Sequence, residues 1–412
     1  MTDNSSLRRL PRNVWVVTAT SFLTDISSEM LANLIPLFLA NVLKTGMAVI
    51  GLIDGVAETT ASLVKIYSGW LSDRIGKRKW LTVLGYGLST VAKPFLYFAH
   101  TWGWVLGVRF ADRMGKGIRT APRDALVAGS VDEKQRGLAF GLHRAGDTAG
   151  AFLGLLIAAL IIWFTQAGSD RLQEPTFHII ILASIVPAVL AVLVLALGAK
   201  EVSVRGNGKA PVLSLKSMDR RFKIFLLVVV LFTLGNSSDS FIILRGQERG
   251  LNLLQIMVML MTFNLIYASL SGPLGALSDR IGRRKLIIGG WIAYGLVYLG
   301  FALSRTGWQI WTLFGLYGVY YAAAEGTAKA LIADLVSQEQ RGTAYGLYNA
   351  AVGLTAFPAS AIAGVLWQGA FGWTGLGPSA PFFFGAGMAL LAGVLFWALV
   401  RVKPSSRAYV PV

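Results

Sequence analysis

Long apolar stretches alternate with short polar segments along the whole chain. Each stretch has roughly the 20 residues that an α-helix needs to cross the bilayer core. Since lipid offers no partner to backbone polar groups, such stretches fold as membrane-spanning helices. The pattern therefore predicts an all-α polytopic membrane protein with twelve spans, at residues 14–40, 46–68, 80–99, 103–125, 137–164, 176–199, 223–246, 252–275, 286–304, 309–333, 342–368 and 379–401.

The polar stretch at residues 200–222 divides this series into two sets of six spans. It reads KEVSVRGNGKAPVLSLKSMDRRF and is the long polar segment inside the chain. We therefore predict an N-terminal bundle of six helices at 1–199, a linker at 200–222 and a C-terminal bundle of six helices at 223–412.

An internal repeat supports the two bundles. GWLSDRIGKRK begins at residue 69 and GALSDRIGRRK at residue 275, half of the 412-residue chain apart. ALVAGSVDEKQRGLAFGLHRA at 125–145 is likewise similar to ALIADLVSQEQRGTAYGLYNA at 330–350. A repeat at half-length is typical of membrane proteins built from two related halves. A shorter match, TDISSEM with LGNSSDS, places Glu29 and Asp239 at equivalent positions.

Composition agrees with a lipid environment and narrows the function. Hydrophobic residues make up 54% of the chain, charged residues only 14%, and the mean hydropathy is +0.59. The net charge of +17 comes from short clusters between apolar runs, so we expect no nucleic-acid partner. The absence of cysteine excludes disulfides and thiol chemistry. His143 and His178 have no neighbouring metal ligands in the sequence, and we expect no metal site and no cofactor.

The basic clusters also predict the orientation. With the N-terminus inside, most lysines and arginines outside the spans fall on the cytoplasmic side, as the positive-inside rule requires. We therefore expect both termini in the cytoplasm, contacts with anionic lipid headgroups on that side, and an inner-membrane location. The first apolar run is too long for a signal-peptide core, so no cleavage is expected.

The two basic loops carry a family resemblance. GWLSDRIGKRK and GALSDRIGRRK resemble the loop signature of the major facilitator superfamily, G-x-x-x-D-[RK]-x-G-[RK]-[RK]-[RK], between helices 2 and 3 and again between 8 and 9. The resemblance covers the whole chain and implies a transporter of two pseudo-symmetric six-helix bundles. We predict that the two loops gate the transporter; the alternative is that they only set its orientation in the membrane. The residues concerned are Gly69, Asp73, Arg74, Gly76, Arg78, Gly275, Asp279, Arg280, Gly282 and Arg284.

Acidic residues inside the predicted spans are candidates for proton coupling, because ionisable groups are costly in a membrane. Asp25 and Glu29 are four residues apart in span 1 and share a helix face, as do Asp54 and Glu58 in span 2. The alternative is structural pairing with a neighbouring cation. In the resembled family, helices 1, 4, 7 and 10 line the cavity, and the resemblance therefore assigns to it Asp25, Glu29, Arg109, Asp239 and Glu325. With Glu58 of span 2 added, the candidates for proton coupling are Asp25, Glu29, Glu58, Asp239 and Glu325.

Arginines inside the spans allow two interpretations. Arg109 and Arg113 recur with Lys116 along one face of span 4, and Arg144 lies in span 5. They bind an anionic substrate, or they neutralise carboxylates such as Asp25 and Glu29. A row of glycines four residues apart in span 5 predicts close packing against another helix: Gly146, Gly150 and Gly154.

Resemblance to drug and proton antiporters favours a monomeric secondary transporter that exports a small molecule in exchange for protons. The alternative is an organic-anion or metabolite transporter, an exporter or a proton symporter, that uses Arg109, Arg113 and Arg144. A membrane-embedded enzyme would need a catalytic constellation, and the sequence contains no such cluster. A non-transporting receptor is the fourth hypothesis.

Overall fold

The structure is a computed structural model that describes residues 10–132, 135–166, 168–202, 214–216, 218–337 and 340–400. Within 275–276, 278–280, 325–326 and 329 it describes the backbone alone. We number the helices by predicted span: α1 Arg12–Asn41, α2 Met47–Ile75, α3 Arg78–Ala92 with a 3₁₀ turn at Lys93–Phe98, α4 Trp102–Ser130, α5 Arg136–Gln166, α6 Glu174–Gly198, α7 Arg220–Glu248, α8 Leu253–Ile281, α9 Arg283–Leu303, α10 Gly307–Leu335, α11 Arg341–Gln368 and α12 Ala380–Leu399.

The prediction of an all-α membrane protein is confirmed, since each predicted apolar span coincides with a helix. Among the described residues, nine helices are long and apolar enough to cross a membrane. Helices α3, α4 and α10 are not among them. Helix α4 carries five charged side chains from Arg109 to Arg119, both included. The count of twelve spans therefore remains a prediction.

Two helices are interrupted inside the bundle. Helix α1 breaks after Ala32 and resumes at Ile35, while α7 breaks after Gly235 and resumes at Ser240. Side chains satisfy the polar groups that the α7 break exposes: Ser360 Oγ accepts from Ser238 N at 3.2 Å, and Tyr294 Oη donates to the Gly235 carbonyl at 3.2 Å. Irregular backbone at membrane depth is tolerated where it lines a cavity, so both breaks point to the functional centre.

The two basic loops share a sharp turn at a glycine. Gly76 ends α2 with φ +68°, and Gly282 lies between α8 and α9 with φ +92°. Side chains with a Cβ rarely adopt positive φ, which explains glycine at this point of both motifs. We call the end of the molecule that carries residues 69–79 and 275–285 the motif end.

Glycine seams hold the helices close together. Gly146, Gly150 and Gly154 of α5 lie against the backbone or side chains of Thr18, Phe22 and Ile26 in α1, where an added Cβ would collide. The predicted close packing of span 5 is thus confirmed, with α1 as its partner. Across the halves, Gly51 and Gly55 of α2 pack in the same way against Ser360 and Phe357 of α11.

The seam between α2 and α11 occupies only one end of the molecule. It begins at Met47, whose N–H donates to Gln368 Oε1 at 2.5 Å, and continues to Ser62, which touches Gly353. Nearer the motif end, Gly69 of α2 instead faces Ala121 of α4 in the same half. The halves, α1–α6 and α7–α12, are therefore joined along α2 and α11 toward the end opposite to the motif end, and a second contact between them runs along α5 and α8.

Candidate functional site

A cavity of about 370 Å³ lies between the halves, beside the break in α7. The N-terminal half contributes mainly charged groups, and the C-terminal half contributes neutral polar groups with one carboxylate. Its lining includes Glu29, Asn33, Glu58, Arg109, Arg113, Asn236, Ser237, Ser238, Asp239, Tyr321 and Ser360. We call this the central cavity.

A second cavity, of about 90 Å³, lies inside the N-terminal half and shares Glu29, Arg109 and Arg113 with the central cavity. Here three carboxylates lie among five cations. The charged residues that line it are Asp25, Glu29, Lys93, Arg109, Asp112, Arg113, Lys116 and Arg119. We call it the inner cavity. Because Glu29 borders both cavities, its side chain can contact groups in either one.

Three of the five cavity residues predicted for helices 1, 4, 7 and 10 line the central cavity: Glu29, Arg109 and Asp239. Asp25 lines the inner cavity instead. Glu325 belongs to α10, but its side chain lies outside the described part of the structure. Tyr321, one turn before it, represents α10 in the central cavity.

The partner of Arg109 differs from the expected one. Arg109 Nη2 contacts Asp54 Oδ1 of α2 at 2.8 Å, not Asp25 or Glu29, and this pair is almost fully buried. Asp54 Oδ2 also accepts a hydrogen bond at 2.8 Å from Ser238 Oγ in the α7 break. A buried charge needs a partner, and Asp54 supplies it while joining the two halves. The sequence signal was the spacing of four between Asp54 and Glu58, both on the α2 face that reaches α4.

Glu58 and Arg113 form a second pair one turn further along both helices. Arg113 Nη2 lies 3.4 Å from Glu58 Oε1, whose side chain keeps 49% exposure toward the central cavity. Arg113 Nε also lies 4.0 Å from Asp112 Oδ2. Glu58 is therefore better described as the ion-pair partner of Arg113 than as an unpaired carboxylate that couples to protons.

Glu29 and Asp239 have a different environment. Glu29 Oε2 accepts a hydrogen bond from Asn33 Nδ2 at 2.9 Å, and Asp239 Oδ1 accepts one from Tyr317 Oη at 3.1 Å. Among the described residues, neither carboxylate has a cation within ion-pair distance. The nearby Lys93 instead donates to Ser27 Oγ and Ser28 Oγ, at 2.6 and 3.1 Å. Each half therefore presents one carboxylate to the central cavity without a fixed cation.

Arg144 lies at the contact between α5 and α8. Its guanidinium hydrogen-bonds Tyr267 Oη and stacks over that ring, with 5.6 Å from Cζ to the ring centroid. Arg144 is not among the residues that line the central or inner cavity. It therefore contacts the opposite half of the protein.

The first motif loop is tied into its own half. Arg78 Nη2 contacts Asp73 Oδ1 at 3.1 Å, and its Nη1 donates to the Ala125 carbonyl. Glu201, just after α6, accepts from the N–H groups of Arg78 and Lys79 at 2.8 and 3.0 Å and so caps α3. Arg74 stacks over Trp70, 5.4 Å from its ring centroid.

Only part of the second motif loop is described. Arg284 donates to the Trp397 carbonyl. The side chains of Asp279 and Arg280 fall outside the described part, and Gly275 is described by its helical backbone. Elsewhere in the described chain, no group of three or more His, Asp or Glu side chains could hold a metal ion.

Comparison with known proteins identifies the family. The model of the Major Facilitator Superfamily matches residues 17–252 and 225–411. The chain belongs to this superfamily. A relative in Methanocaldococcus jannaschii, "Uncharacterized MFS-type transporter MJ1317", is 37% identical over 399 residues, 95% of this chain and 96% of its own length. The protein is therefore a multi-pass membrane transporter and not an enzyme.

More distant members of the superfamily agree. "Multidrug resistance protein MdtG" of Citrobacter koseri is 24% identical over 348 residues, 82% of this chain and 84% of its own length. The crystal structure of nucleoside transporter NupG superimposes with a TM-score of 0.77 at 13% identity, covering 94% of this chain and 100% of that one. At that identity the likeness shows the fold, which is the one predicted.

Proposed function

We propose that this superfamily member is a secondary active transporter that exports a small solute in exchange for protons. The predicted bundles, 1–199 and 223–412, would rock against each other and expose the central cavity to one side at a time. The loops at Asp73 and Asp279 would then hold the gate at the motif end. Both the small solute and the outward direction of transport are part of what we propose.

The observation that carries it is the pair Glu29 and Asp239. Both carboxylates face the central cavity, one from each half, and neither has an ion-pair partner among the described residues. A carboxylate without a fixed cation can hold either a proton or a group of the solute, but not both at once. Such competition makes proton entry and solute exit alternate, as antiport requires.

The position of the glycine seam shows which end of the central cavity is closed. Importers also visit such a state, so the proposed direction rests on the likeness to exporters. Contacts between α2 and α11 close the end opposite to the motif end. On the predicted orientation, with both termini in the cytoplasm, this arrangement leaves the central cavity to be loaded from the cytoplasm. An exporter binds its solute from that side. The name of the MdtG relative is also in keeping with export.

Glu29→Gln tests the coupling. An amide mimics the protonated acid, so the variant is expected to lose accumulation driven by a pH gradient and to keep solute exchange across reconstituted vesicles. The solute is first selected by a thermal-shift screen of organic cations and anions, because a specific ligand stabilises the purified protein.

Glu174→Gln is the matched control for this test, since Glu174 is a half-exposed glutamate at the start of α6 and is not among the residues that line the central or inner cavity. It should retain gradient-driven accumulation. Full accumulation by Glu29→Gln would remove Glu29 from the proton pathway and contradict the proposal as stated.

One observation favours the alternative of organic-anion transport. In the described part of the chain, the inner-cavity cations Lys93, Lys116 and Arg119 form no ion pair within 4.0 Å. A relative named "Probable 4-methylmuconolactone transporter" in Cupriavidus pinatubonensis is 29% identical over 248 residues, 57% of this chain and 56% of its own length. If the protein transports organic anions, Lys116→Met should selectively weaken the binding of an anionic ligand. Under the first proposal, the affinity for that ligand should be unchanged.

A further inference from the structure

A buried chain of hydrogen bonds links α1 and α5 below the inner cavity, on the side of the motif end. Ser21 Oγ lies 3.0 Å from His143 Nε2, and His143 Nδ1 lies 3.3 Å from Asp147 Oδ2. Ser21 and His143 are buried, with 2% and 5% exposure. The Asp147 side chain keeps 18% exposure. Neither His143 nor Asp147 has a role in the site described above.

Polar groups from four helices face this chain. Helix α1 contributes Asp25, and α3 contributes Tyr86, whose Oη lies 3.1 Å from Ser21 Oγ. Helix α4 contributes Arg119 and Arg123, and Arg123 Nη1 donates to Ser21 Oγ at 3.4 Å. The other charged neighbours are Asp124, paired with Arg123, and on α5 Arg144, which reaches Tyr267 of α8.

One oxygen of this chain has no partner. Asp147 Oδ1 is buried and, within the described part of the structure, accepts no hydrogen bond. A buried acceptor left empty is costly, so an unpaired carboxylate oxygen indicates a place for a proton or a donor. Asp25 is the acidic group of α1 that interacts electrostatically with Asp147. Two neighbouring carboxylates share one proton more readily than they carry two charges.

The carboxylates form a row from the central cavity toward the motif end. Glu29 borders the central cavity, and Asp25 lies one turn before it on α1 and lines the inner cavity. Asp147 follows on α5, held against α1 by the contact of Gly146 with Thr18 and of Gly150 with Phe22. The start of α1, toward which the row runs, is at the motif end: Asn13 bonds Lys200, next to the Glu201 that caps α3.

We propose that Asp147 is a second proton-binding site, which receives the proton from Asp25 and delivers it toward the motif end. Because Oδ1 accepts no hydrogen bond in the described structure, a bridging water carries the proton. The O–H bond of the Asp25 carboxyl breaks, the water takes that proton and gives one of its own to Asp147 Oδ1, and the negative charge passes to Asp25. His143 is a positioning residue: its Nδ1–H donates to Oδ2 and leaves Oδ1 to accept. This inference rests on the proposed proton coupling.

The test follows carboxyl protonation directly and needs no solute. Purified protein in lipid is titrated with protons while infrared spectroscopy records the C=O bands of protonated carboxyl groups. The wild type is expected to show a titrating band that is lost in Asp147→Asn and restored, at a shifted midpoint, in Asp147→Glu. His143→Gln should keep the band and shift its midpoint, because it leaves the Asp147 carboxyl in place and alters the contacts of His143 with Asp147 Oδ2 and Ser21 Oγ.

The chain provides a matched control. Glu174 and His178 form another histidine–carboxylate pair at the same helical spacing, with glutamate in place of aspartate and in the reverse order, and with Nε2 and Oε1 3.9 Å apart. Glu174→Gln and His178→Gln should leave the Asp147 band unchanged. Since the chain has only three histidines, ¹⁵N-histidine NMR separately reports whether His143 keeps its partner in each variant.

Two outcomes overturn the inference. One is an Asp147→Asn variant that keeps every titrating band of the wild type. The other is a His143→Gln variant with an unchanged midpoint, which refutes the positioning role. A folded Asp147→Asn variant is recognised by unaltered His178 signals. Failure of the proposed function would be seen in a different experiment, as gradient-driven solute accumulation by Glu29→Gln. That result would not change the infrared titration of Asp147.

Discussion

The interiors of the two halves differ in chemistry although they share a fold and a repeat. The N-terminal half places charged pairs on α2 and α4, Asp54 with Arg109 and Glu58 with Arg113. At the equivalent depth, the C-terminal half has a cluster of stacked and edge-on rings from α9 and α10: Tyr294, Tyr298, Tyr317 and Tyr320. The hydroxyls of Tyr294 and Tyr317 support the α7 break and Asp239.

This difference teaches how a moving membrane protein accommodates charge. A buried ion pair broken by motion would leave two uncompensated charges, at a cost of several kcal/mol. Both pairs are contained within one half, which on the proposed rocking mechanism moves as a unit. The contacts across the cavity are cheaper to break, and the bond from Ser238 to Asp54 is one of them.

Arg109→Ala should give the largest effect. It strands Asp54 in a buried position, and loss of one partner of a buried pair costs about 3–5 kcal/mol. We expect a clearly lower melting temperature in detergent and loss of transport. Arg113→Ala should cost less, because Glu58 is half exposed to the central cavity and can be solvated. Equal losses in the two variants would contradict the contrast between the pairs.

The double variant Arg109→Ala with Asp54→Ala sharpens this test. Removing both charges leaves no unpaired group, so part of the lost stability should return. Additive losses would show that the two residues do not act as a pair.

Ser238→Ala examines the boundary between the halves. It removes a hydrogen bond to a charged acceptor, worth about 1.5–3 kcal/mol, that exists only while the α7 break lies against α2. The equilibrium should shift away from closure at the end opposite to the motif end. Because the chain has no cysteine, a Met47→Cys, Gln368→Cys pair reports closure by cross-linking without background.

Ser237→Ala is the control, since this neighbouring serine lines the same cavity and has no hydrogen bond to Asp54. Cross-linking should fall in Ser238→Ala and not in Ser237→Ala. A drop of the same size in both variants would show that any substitution in the α7 break reduces closure, and that the hydrogen bond from Ser238 to Asp54 has no specific role.

Tyr317→Phe probes the C-terminal half and should have the smallest effect. On the proposed coupling Asp239 is protonated for part of the cycle, and the hydrogen bond that it then accepts as a neutral group is worth about 1 kcal/mol. The variant removes this bond and keeps the aromatic packing. We expect nearly normal stability and a shifted pH dependence of transport, since the freed carboxylate no longer has that donor. A loss of stability as large as in Arg109→Ala would contradict the view that aromatic packing holds this half.

Several features were predictable because they depend on local sequence. The positions of the helices follow from hydropathy, since an apolar run as long as α6, Glu174–Gly198, can fold in lipid only as a helix. The glycine seam of α5 follows from the spacing of small residues, and the turns at Gly76 and Gly282 follow from the motif. Glu29 and Asp239 were identified by the cost of placing carboxylates in a membrane and by the repeat.

Only the tertiary structure decided which groups meet. Helical periodicity shows that Asp54 and Glu58 share a face, but not that this face meets Arg109 and Arg113 of α4. The same limit applies to His143, which appears isolated in the sequence and contacts Ser21 of a distant helix. The break in α7 also required the structure, because it is stabilised by Ser360 and Tyr294 from other helices. Sequence spacing determines the surface of one helix, whereas the pairing of surfaces depends on how all the helices pack in three dimensions.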